Sequence, residues 1–439
     1  MTLAKGVAPR EVWAWAMFDF ANSGYTTVVI TAVFNAYFVS VVAGNAPWAT
    51  FAWTLALAVS YAAVMASAPV LGAYADLHAA KKRLLAASTL GCVLFTAALS
   101  LAGPGDFWLA FVLVALSNFF FGTGENLVAA FLPELARGRA LGKVSGWGWG
   151  LGYFGGLVVL GVCLAYVTLA QGRGEAAGEY VPVTMLITAG LFALASFPTF
   201  LLLRERAQPR EGAAGVQLVG EAFARLGQTL AHVRRFQDLW RFLVCLVFYQ
   251  AGIQAVIALA AVYAQLAMGF DTRQTLTLIL VVNITAALGA LAFGQVQDRI
   301  GHVPTIALTL LGWMLMIVMA WAATGEALFW AAANVAGLCL GSAQSAGRAL
   351  VGYLSPAGRR AEFFGLWGLA VKLSSILGPV TYGLVSWLSQ GDHRLAILIT
   401  GTYFLIGLGI LLVVDVRRGR RAALRERERS DPAAAGPAI

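Results

Sequence analysis

The stretch Gly72-Ala-Tyr-Ala-Asp76 is matched in spacing by Gly294-Gln-Val-Gln-Asp298, 222 positions further along the chain. Each copy follows the second of six apolar segments. Pro133 and Pro356 are related by nearly the same offset, 223, which also relates Glu125 to Arg348. Two halves with matching landmarks indicate an internal repeat, and parallel repeats of six helices are an established design of membrane transporters.

The composition of the chain excludes an ordinary soluble protein. Hydrophobic residues make up 60% and charged residues 12% of the 439 positions, and the mean hydropathy is +0.77. Soluble domains carry about 25% charged residues. Apolar runs of about 20 residues, the length that crosses a bilayer, recur throughout. We therefore predict an all-α membrane protein with twelve transmembrane helices in two pseudo-symmetric six-helix bundles. The predicted spans are 12–43, 49–74, 84–103, 107–132, 143–169, 181–203, 241–268, 275–297, 303–323, 326–350, 361–388 and 394–415.

A polar stretch divides the predicted spans six and six. We expect an N-terminal bundle over 1–203, a cytoplasmic linker over 204–240, a C-terminal bundle over 241–416 and a basic cytoplasmic tail over 417–439. Residues 207–215 have the Pro/Gly/Ala-rich composition of a loop. Apolar residues recur every four positions from 216 to 233, which predicts a helix on the membrane surface. The tail is expected to be solvated and partly disordered.

The distribution of basic residues predicts the orientation in the membrane. Of 30 Lys and Arg, only Arg173, Arg273 and Arg394 fall in one set of loops, and Lys372 lies within a span. The others lie in the opposite loops, near their ends, or in the tail. By the positive-inside rule both termini are cytoplasmic, in the cytoplasmic (inner) membrane. We expect the basic loops to contact anionic lipids, and nucleic acid is a poor alternative partner despite the net charge of +9.

Catalytic and metal-binding constellations are missing from the sequence. The four cysteines are dispersed in apolar runs without a Cys-x-x-Cys pair, and the four histidines lie in loops or the linker. This pattern predicts buried cysteines rather than ligands. We expect no metal, no cofactor and no enzymatic activity, and a protein that functions as a monomer.

Four ionisable residues interrupt the apolar spans: Asp19, Glu125, Arg348 and Lys372. A charge at bilayer depth costs about 2.5–3.5 kcal/mol on insertion scales, so it rarely occurs without a partner or a water-filled cavity. Two acids and two bases indicate a polar pathway through the bundle.

Several stretches resemble one branch of the major facilitator superfamily, the family of the autophagy-related vacuolar amino-acid effluxer and its bacterial relatives. They cover both halves of the chain, and they are Trp15-Ala-Met-Phe-Asp19-Phe-Ala-Asn22-Ser23, Phe131-Leu-Pro133-Glu134-Leu, Val144-Ser-Gly-Trp147-Gly-Trp-Gly-Leu-Gly-Tyr153-Phe-Gly-Gly156, Gln344 with Arg348, and Glu362-Phe-Phe-Gly365-Leu-Trp-Gly-Leu-Ala-Val-Lys372 through Gly378-Pro379. The resemblance implies alternating access, a cavity between the halves lined by spans one, four, seven and ten, and proton-coupled amino-acid export.

Polar residues at helical spacing form the predicted substrate and coupling site. They are Asp19, Asn22, Glu125, Asn126, Gln250, Gln254, Gln344, Arg348 and Lys372. Such a set suits a zwitterion, with its carboxylate on Arg348 or Lys372 and its ammonium on Asp19. Alternatively, Asp19 is an internal partner for a helix terminus or a buried cation. Asp19 and Glu125 are the intramembrane acids that could carry protons.

Aromatic and glycine residues add a second set of expectations. Tyr25, Trp147 and Trp149 are candidate cavity-lining residues, although the two tryptophans could equally pack against another helix. Gly148, Gly152 and Gly156 are spaced for close helix packing rather than for phosphate binding.

The repeated loops predict gating residues: Gly72, Asp76, Lys81, Arg83, Asp298 and Arg299. Each aspartate could cap a helix N-terminus of the opposite half, since a carboxylate there is favourable; the alternative is a plain stop-transfer charge cluster. Glu125 and Arg348 could form a latch between the halves, or each could bind groups within its own half.

Taken together, the sequence predicts a secondary active transporter of a small polar or zwitterionic solute. An exporter of amphipathic drugs or lipids is one alternative, and a sensor or assembly protein derived from a transporter is another.

Overall fold

The computed structural model describes residues 6–136, 139–206, 216–355 and 360–430. Within these ranges, twelve helical segments are long and apolar enough to cross a membrane, which confirms the predicted number. The helices of the first half are α1 (Pro9–Tyr25), α2 (Phe34–Tyr37), α3 (Ala49–His78), α4 (Lys81–Ala98), α5 (Phe107–Ala129), α6 (Leu132–Leu135), α7 (Arg139–Gly172) and α8 (Ala177–Leu202). The later helices are α9 (Val216–Val233), α10 (Gln237–Met268), α11 (Thr272–Ile300), α12 (His302–Ala322), α13 (Glu326–Leu354), α14 (Arg360–Leu388), α15 (His393–Thr400), α16 (Thr402–Leu411) and α17 (Val416–Ser430).

The first span is not a uniform α-helix. It extends over Pro9–Val42, and π-helical turns at Thr26–Ala32 and Phe38–Val42 flank α2. The first π-helical turn holds a run of β-branched residues, whose stiff side chains crowd the turns of a regular helix. Between the two turns, Asn35 is fully buried, and its amide nitrogen donates to the carbonyls of Thr31 (3.0 Å) and Ala258 (3.1 Å).

Contacts divide the chain into two compact units. Unit 1 comprises Met1–Ala222, Ile257–Asn283 and Gly383–His393, and unit 2 comprises Phe223–Val256, Ile284–Tyr382 and Arg394–Ile439. Unit 1 therefore combines the first half with the end of α10, the start of α11 and the end of α14. Its internal contacts include a hydrogen bond from Tyr180 to Thr272 (2.9 Å). The domain boundaries expected from the sequence stay a prediction.

Close helix packing in unit 2 depends on Gly378 of α14. A Cβ at this position would overlap the carbonyl oxygen of Ala251 in α10. The same unit contains the stacked rings of Trp313 and Phe404, whose centroids are 5.3 Å apart. A residue without a side chain at 378 is therefore required for α14 and α10 to approach this closely.

The C-terminal segment forms a helix with one side packed. Residues 416–430 form α17, which belongs to unit 2. Arg418 donates two hydrogen bonds of 2.7 Å to the buried carboxylate of Asp238, and this carboxylate raises the pKa of Arg418. Asp238 also accepts a hydrogen bond from the backbone N–H of Asp415 (3.0 Å). A buried carboxylate requires such partners, and these bonds hold this part of the tail as an ordered helix; the rest of the tail, 431–439, lies outside the described residues.

The predicted linker helix is confirmed as α9, with the predicted bounds. Two of its apolar side chains, Val219 and Phe223, are exposed. Its position on the membrane surface stays a prediction. Residues 207–215, expected to form a loop, lie outside the described residues.

Candidate functional site

Three polar side chains of the first span, two on α1 and one in the π-helical turn that follows it, face three glycines of α7 at four-residue intervals on both segments. The pairs are Asp19 with Gly148, Ser23 with Gly152 and Thr27 with Gly156. A Cβ at either of the last two glycines would be 2.9 Å from the facing hydroxyl, and a Cβ at the first would overlap a carboxylate oxygen. The predicted packing role of the glycines is therefore confirmed. Their small size leaves space for a charged group between the two helices.

The polar face of α1 extends beyond Asp19, towards the π-helical turn. Asp19 is half-buried, whereas Asn22 is only 7% exposed. The amide oxygen of Asn22 has no hydrogen-bond partner among the described residues. The hydroxyl of Thr26 donates to the backbone carbonyl of Asn22 (3.3 Å) where α1 gives way to the π-helical turn. Departures from α-helical geometry of this kind are frequent at functional sites.

A cavity of about 130 Å³ in unit 1 brings together residues that the sequence analysis assigned to separate roles. Its lining includes Gly72 and Lys81, predicted to gate, and Asn126, predicted to bind substrate. Thr123 also lines it, and its buried hydroxyl has no hydrogen-bond partner among the described residues. Glu125, which precedes the cavity-lining Asn126 in the sequence, is half-buried.

Lys81 belongs to a network of charges that the sequence analysis missed. Its ammonium contacts the carboxylate of Glu134 (3.1 Å), and both side chains are mostly buried. Glu205 accepts hydrogen bonds from the backbone N–H groups of Lys81 (2.8 Å) and Lys82 (3.1 Å), which caps the N-terminus of α4. A carboxylate at that position stabilises the helix dipole. The Glu134 carboxylate also accepts from the backbone N–H of Arg206 (2.8 Å), so the network fixes the start of the linker.

Other predicted gating residues are less constrained. Arg83 and Arg299 are exposed. The side chains of Asp76, Asp298 and Trp149 lie outside the described part of the structure. The capping roles of the two aspartates therefore stay predictions.

Unit 2 assembles amides and a cation around α10, α13 and α14. The amide of Gln250 donates to the Gln344 side-chain oxygen (2.9 Å), so the two predicted residues are paired. One turn further along α13, the guanidinium carbon of Arg348 lies over the ring of Trp367, 5.1 Å from its centroid, in a cation–π contact. Gln254 and Lys372, which were also predicted, lie in the same unit and are half-buried.

A buried hydroxyl lies next to this group. Tyr249 is fully buried, and its hydroxyl lies against Gly347. That hydroxyl has no hydrogen-bond partner among the described residues. The position was missed because a tyrosine within an apolar run is hard to distinguish from a packing residue.

Tyr25 packs inside unit 1 rather than lining a cavity as predicted. It is 1% exposed, its hydroxyl is 2.8 Å from that of Ser117, and its ring stacks on Phe121. Burying the ring and pairing the hydroxyl satisfy both parts of the side chain. Trp147, by contrast, is 64% exposed.

The ionisable candidates are thus divided by charge. Both acids, Asp19 and Glu125, belong to unit 1, and both bases, Arg348 and Lys372, belong to unit 2. The expected latch between Glu125 and Arg348 stays a prediction.

Comparison with known proteins assigns the chain to a family. The model of the family described as "Vacuole effluxer Atg22 like" matches residues 38–424. The chain belongs to the Atg22-like family of major facilitator transporters. The family assignment suggested by the sequence motifs is confirmed.

Relatives of this Atg22-like transporter occur in bacteria and fungi. It is 27% identical to the "Uncharacterized MFS-type transporter YxiO" of Bacillus subtilis (strain 168), over 91% of this chain and 94% of that protein. It is 25% identical to "Autophagy-related protein 22-1" of Aspergillus niger, over 64% of this chain. That match covers 48% of the fungal protein, so the chain spans about half its length.

Solved structures confirm the predicted fold class. The nucleoside transporter NupG (D323A mutant) matches 92% of the chain with a TM-score of 0.67 and 15% identity. A bacterial homologue of the lysosomal transporter Spinster matches 99% with a TM-score of 0.68 and 12% identity. At these identities the likeness concerns the fold alone. With the family, it makes this chain an integral membrane transporter of small molecules.

Proposed function

We propose that this Atg22-like transporter is a secondary active transporter that exports a small, amino-acid-like zwitterion across the cytoplasmic membrane, coupled to protons. The family description names effluxers, which supports export. The basic loops and tail support cytoplasmic termini by the positive-inside rule.

The observation that carries the proposal is the arrangement of Arg348. The guanidinium carbon of Arg348 lies over the Trp367 ring, 5.1 Å from its centroid, and the guanidinium itself carries its N–H donors in one planar fork. That geometry suits two parallel hydrogen bonds to a carboxylate, which a lysine ammonium cannot provide. The paired amides of Gln250 and Gln344, one turn away, supply further neutral donors and acceptors. In this proposal Arg348 receives the substrate carboxylate.

The acids of unit 1 have the complementary role. Asp19, a residue of α1 whose carboxylate faces Gly148 of α7, is the proposed partner of the substrate ammonium. Asp19 and Glu125 are also the proposed proton carriers, because an acid that loses its cationic partner can be protonated near neutral pH.

A binding measurement tests the carboxylate site. Purified protein is screened by thermal shift against amino acids, their amides and their decarboxylated amines. A substrate at 100 times its Kd stabilises the folded protein by about 2.7 kcal/mol. Arg348→Ala should abolish the shift and Arg348→Lys should weaken it, while Arg173→Ala, an exposed arginine paired with Glu175, should preserve it. If the amides and amines stabilise the protein as well as the amino acids do, Arg348 is not a carboxylate site.

Proton coupling has a separate test in proteoliposomes. Transport of a ligand identified above is measured against external pH for the wild type and for the double variant Asp19→Asn, Glu125→Gln. We expect the double variant to lose the pH dependence. A double variant with the wild-type pH profile excludes both residues as carriers.

A further inference from the structure

The C-terminal helix α17 has two different faces. One face is fixed to unit 2 by Arg418, which binds Asp238. Its neighbour Gly419 lies against Leu354 and Asp238, and Ala423 is 2% exposed. Arg420 donates to the carbonyl of Tyr353 (3.0 Å), and its guanidinium carbon lies over the ring of the same residue, 4.8 Å from the centroid. These contacts determine which side of α17 faces outward.

The outward side carries a continuous stripe of arginines. Arg417, Arg421 and Arg425 are exposed and recur every four residues, and Leu424, 40% exposed, lies beside the last of them. We call these four residues the arginine stripe. Residues 416–430 contain seven arginines and two glutamates, a formal charge of +5. A helix with several arginines on an exposed face and an apolar side chain among them has the composition of a helix that binds an anionic membrane surface.

The chain keeps α17 close to the membrane. The last span ends at Leu411 and α17 begins at Val416, so residues 412–415 alone connect them. Four residues reach at most about 14 Å even when fully extended. Leu412 and Val413, in this connection, are 71% and 58% exposed, as expected where a span leaves the hydrocarbon region. A membrane surface is therefore the anionic partner nearest to the stripe.

We propose that the arginine stripe of α17 binds anionic phospholipid headgroups at the membrane surface next to the last span. The docked face contacts Asp238 at the start of α10 and Tyr353 and Leu354 at the end of α13. These are the helices that carry Gln250 and Gln344. The stripe thus connects the lipid composition to the two helices that hold the paired amides, whatever the transported substrate is.

An environment-sensitive fluorophore on Leu424→Cys tests the proposal in full-length protein. The four native cysteines are buried, so the new thiol is labelled selectively. The protein is placed in nanodiscs of phosphatidylcholine alone or with up to 30% phosphatidylglycerol, a composition we choose to bracket the response. We expect a blue shift of the emission that grows with phosphatidylglycerol and that added NaCl reverses.

Charge-matched variants identify the stripe as the cause. Each arginine near an anionic surface strengthens binding about fivefold, so replacing Arg417, Arg421 and Arg425 by Gln should weaken the binding of α17 to the anionic surface about 125-fold. The triple replacement of Arg10, Arg173 and Arg273, which removes the same charge from exposed positions elsewhere, should keep the response. Inorganic phosphate added to phosphatidylcholine nanodiscs should leave the emission unchanged.

Three results would overturn the proposal. Emission that is identical with and without phosphatidylglycerol means that the stripe does not meet the lipid surface. A blue shift that survives in the Arg417/Arg421/Arg425 triple variant means that other residues are responsible. A shift produced by inorganic phosphate alone means that the stripe is a site for soluble phosphate.

Discussion

Replacing Gly378 by Ala should separate α14 from α10 at the point where these helices meet. The added methyl carbon would overlap the Ala251 carbonyl, a backbone atom that cannot move without the whole helix. Overpacking of this kind costs about 1–3 kcal/mol. Gly368 provides a matched control on the same helix, because a Cβ there meets nothing within 4 Å. Both variants gain the same helix propensity, roughly 0.5–1 kcal/mol, so the overpacking alone distinguishes them.

The two variants are compared by thermal unfolding of the purified full-length protein in one detergent. For a unit of 150–250 residues, each kcal/mol changes the melting temperature by about 2–4 °C. Gly378→Ala should therefore melt several degrees below Gly368→Ala. Cys245, buried on α10, should also react earlier with a thiol reagent during heating. Equal melting temperatures for the two variants would refute the close approach of α14 and α10.

Three further predictions concern contacts within single units. Asn35→Leu removes the side-chain hydrogen bond to the Ala258 carbonyl and should lower stability by about 0.5–1.5 kcal/mol, measured by thermal unfolding, whereas Asn334→Leu, whose amide bonds within its own helix among the described residues, should cost less; equal costs would contradict the role of Asn35. Arg418→Ala removes both hydrogen bonds to Asp238 and should speed amide hydrogen exchange throughout α17, whereas Arg421→Ala should not; unchanged exchange in Arg418→Ala would contradict the docked position. The native cysteines should resist thiol reagents until the protein unfolds, and rapid labelling of the folded protein would contradict their burial: Cys92, Cys163, Cys245 and Cys339.

The features that were predictable from the sequence are those with a local cause. Apolar runs of membrane length predicted the twelve spans, because the backbone in lipid must satisfy its own hydrogen bonds within a helix. Glycines four residues apart on α7 predicted close packing, because the spacing alone puts them on one face. The helical period also predicted that Gln344 and Arg348 share a face of α13.

The features that were missed depend on residues far apart in the chain. Arg418 and Asp238 are 180 positions apart, and the alternating Arg and Glu of the tail gave no indication of a buried partner. Tyr25 was assigned to a cavity, but its hydroxyl is satisfied by Ser117, 92 residues away. Asn35 was overlooked although an amide in an apolar stretch is a detectable signal. The polar pairing of Asp19, Ser23 and Thr27 with α7 required knowing which helix lies opposite.

The π-helical turns of the first span change the direction, around the helix axis, in which the side chains after them point. Each wider turn accommodates one residue more than a regular α-helix, and one residue corresponds to a rotation of about 100°. A helical wheel drawn from Pro9 with regular α-helical spacing therefore places Asn35 on a different side of the span from the side on which it lies. A one-residue deletion within Thr26–Ala32 would restore uniform winding while turning the amide of Asn35 away from Ala258. The extra residue in the π-helical turn is thus what directs the Asn35 amide towards the Ala258 carbonyl.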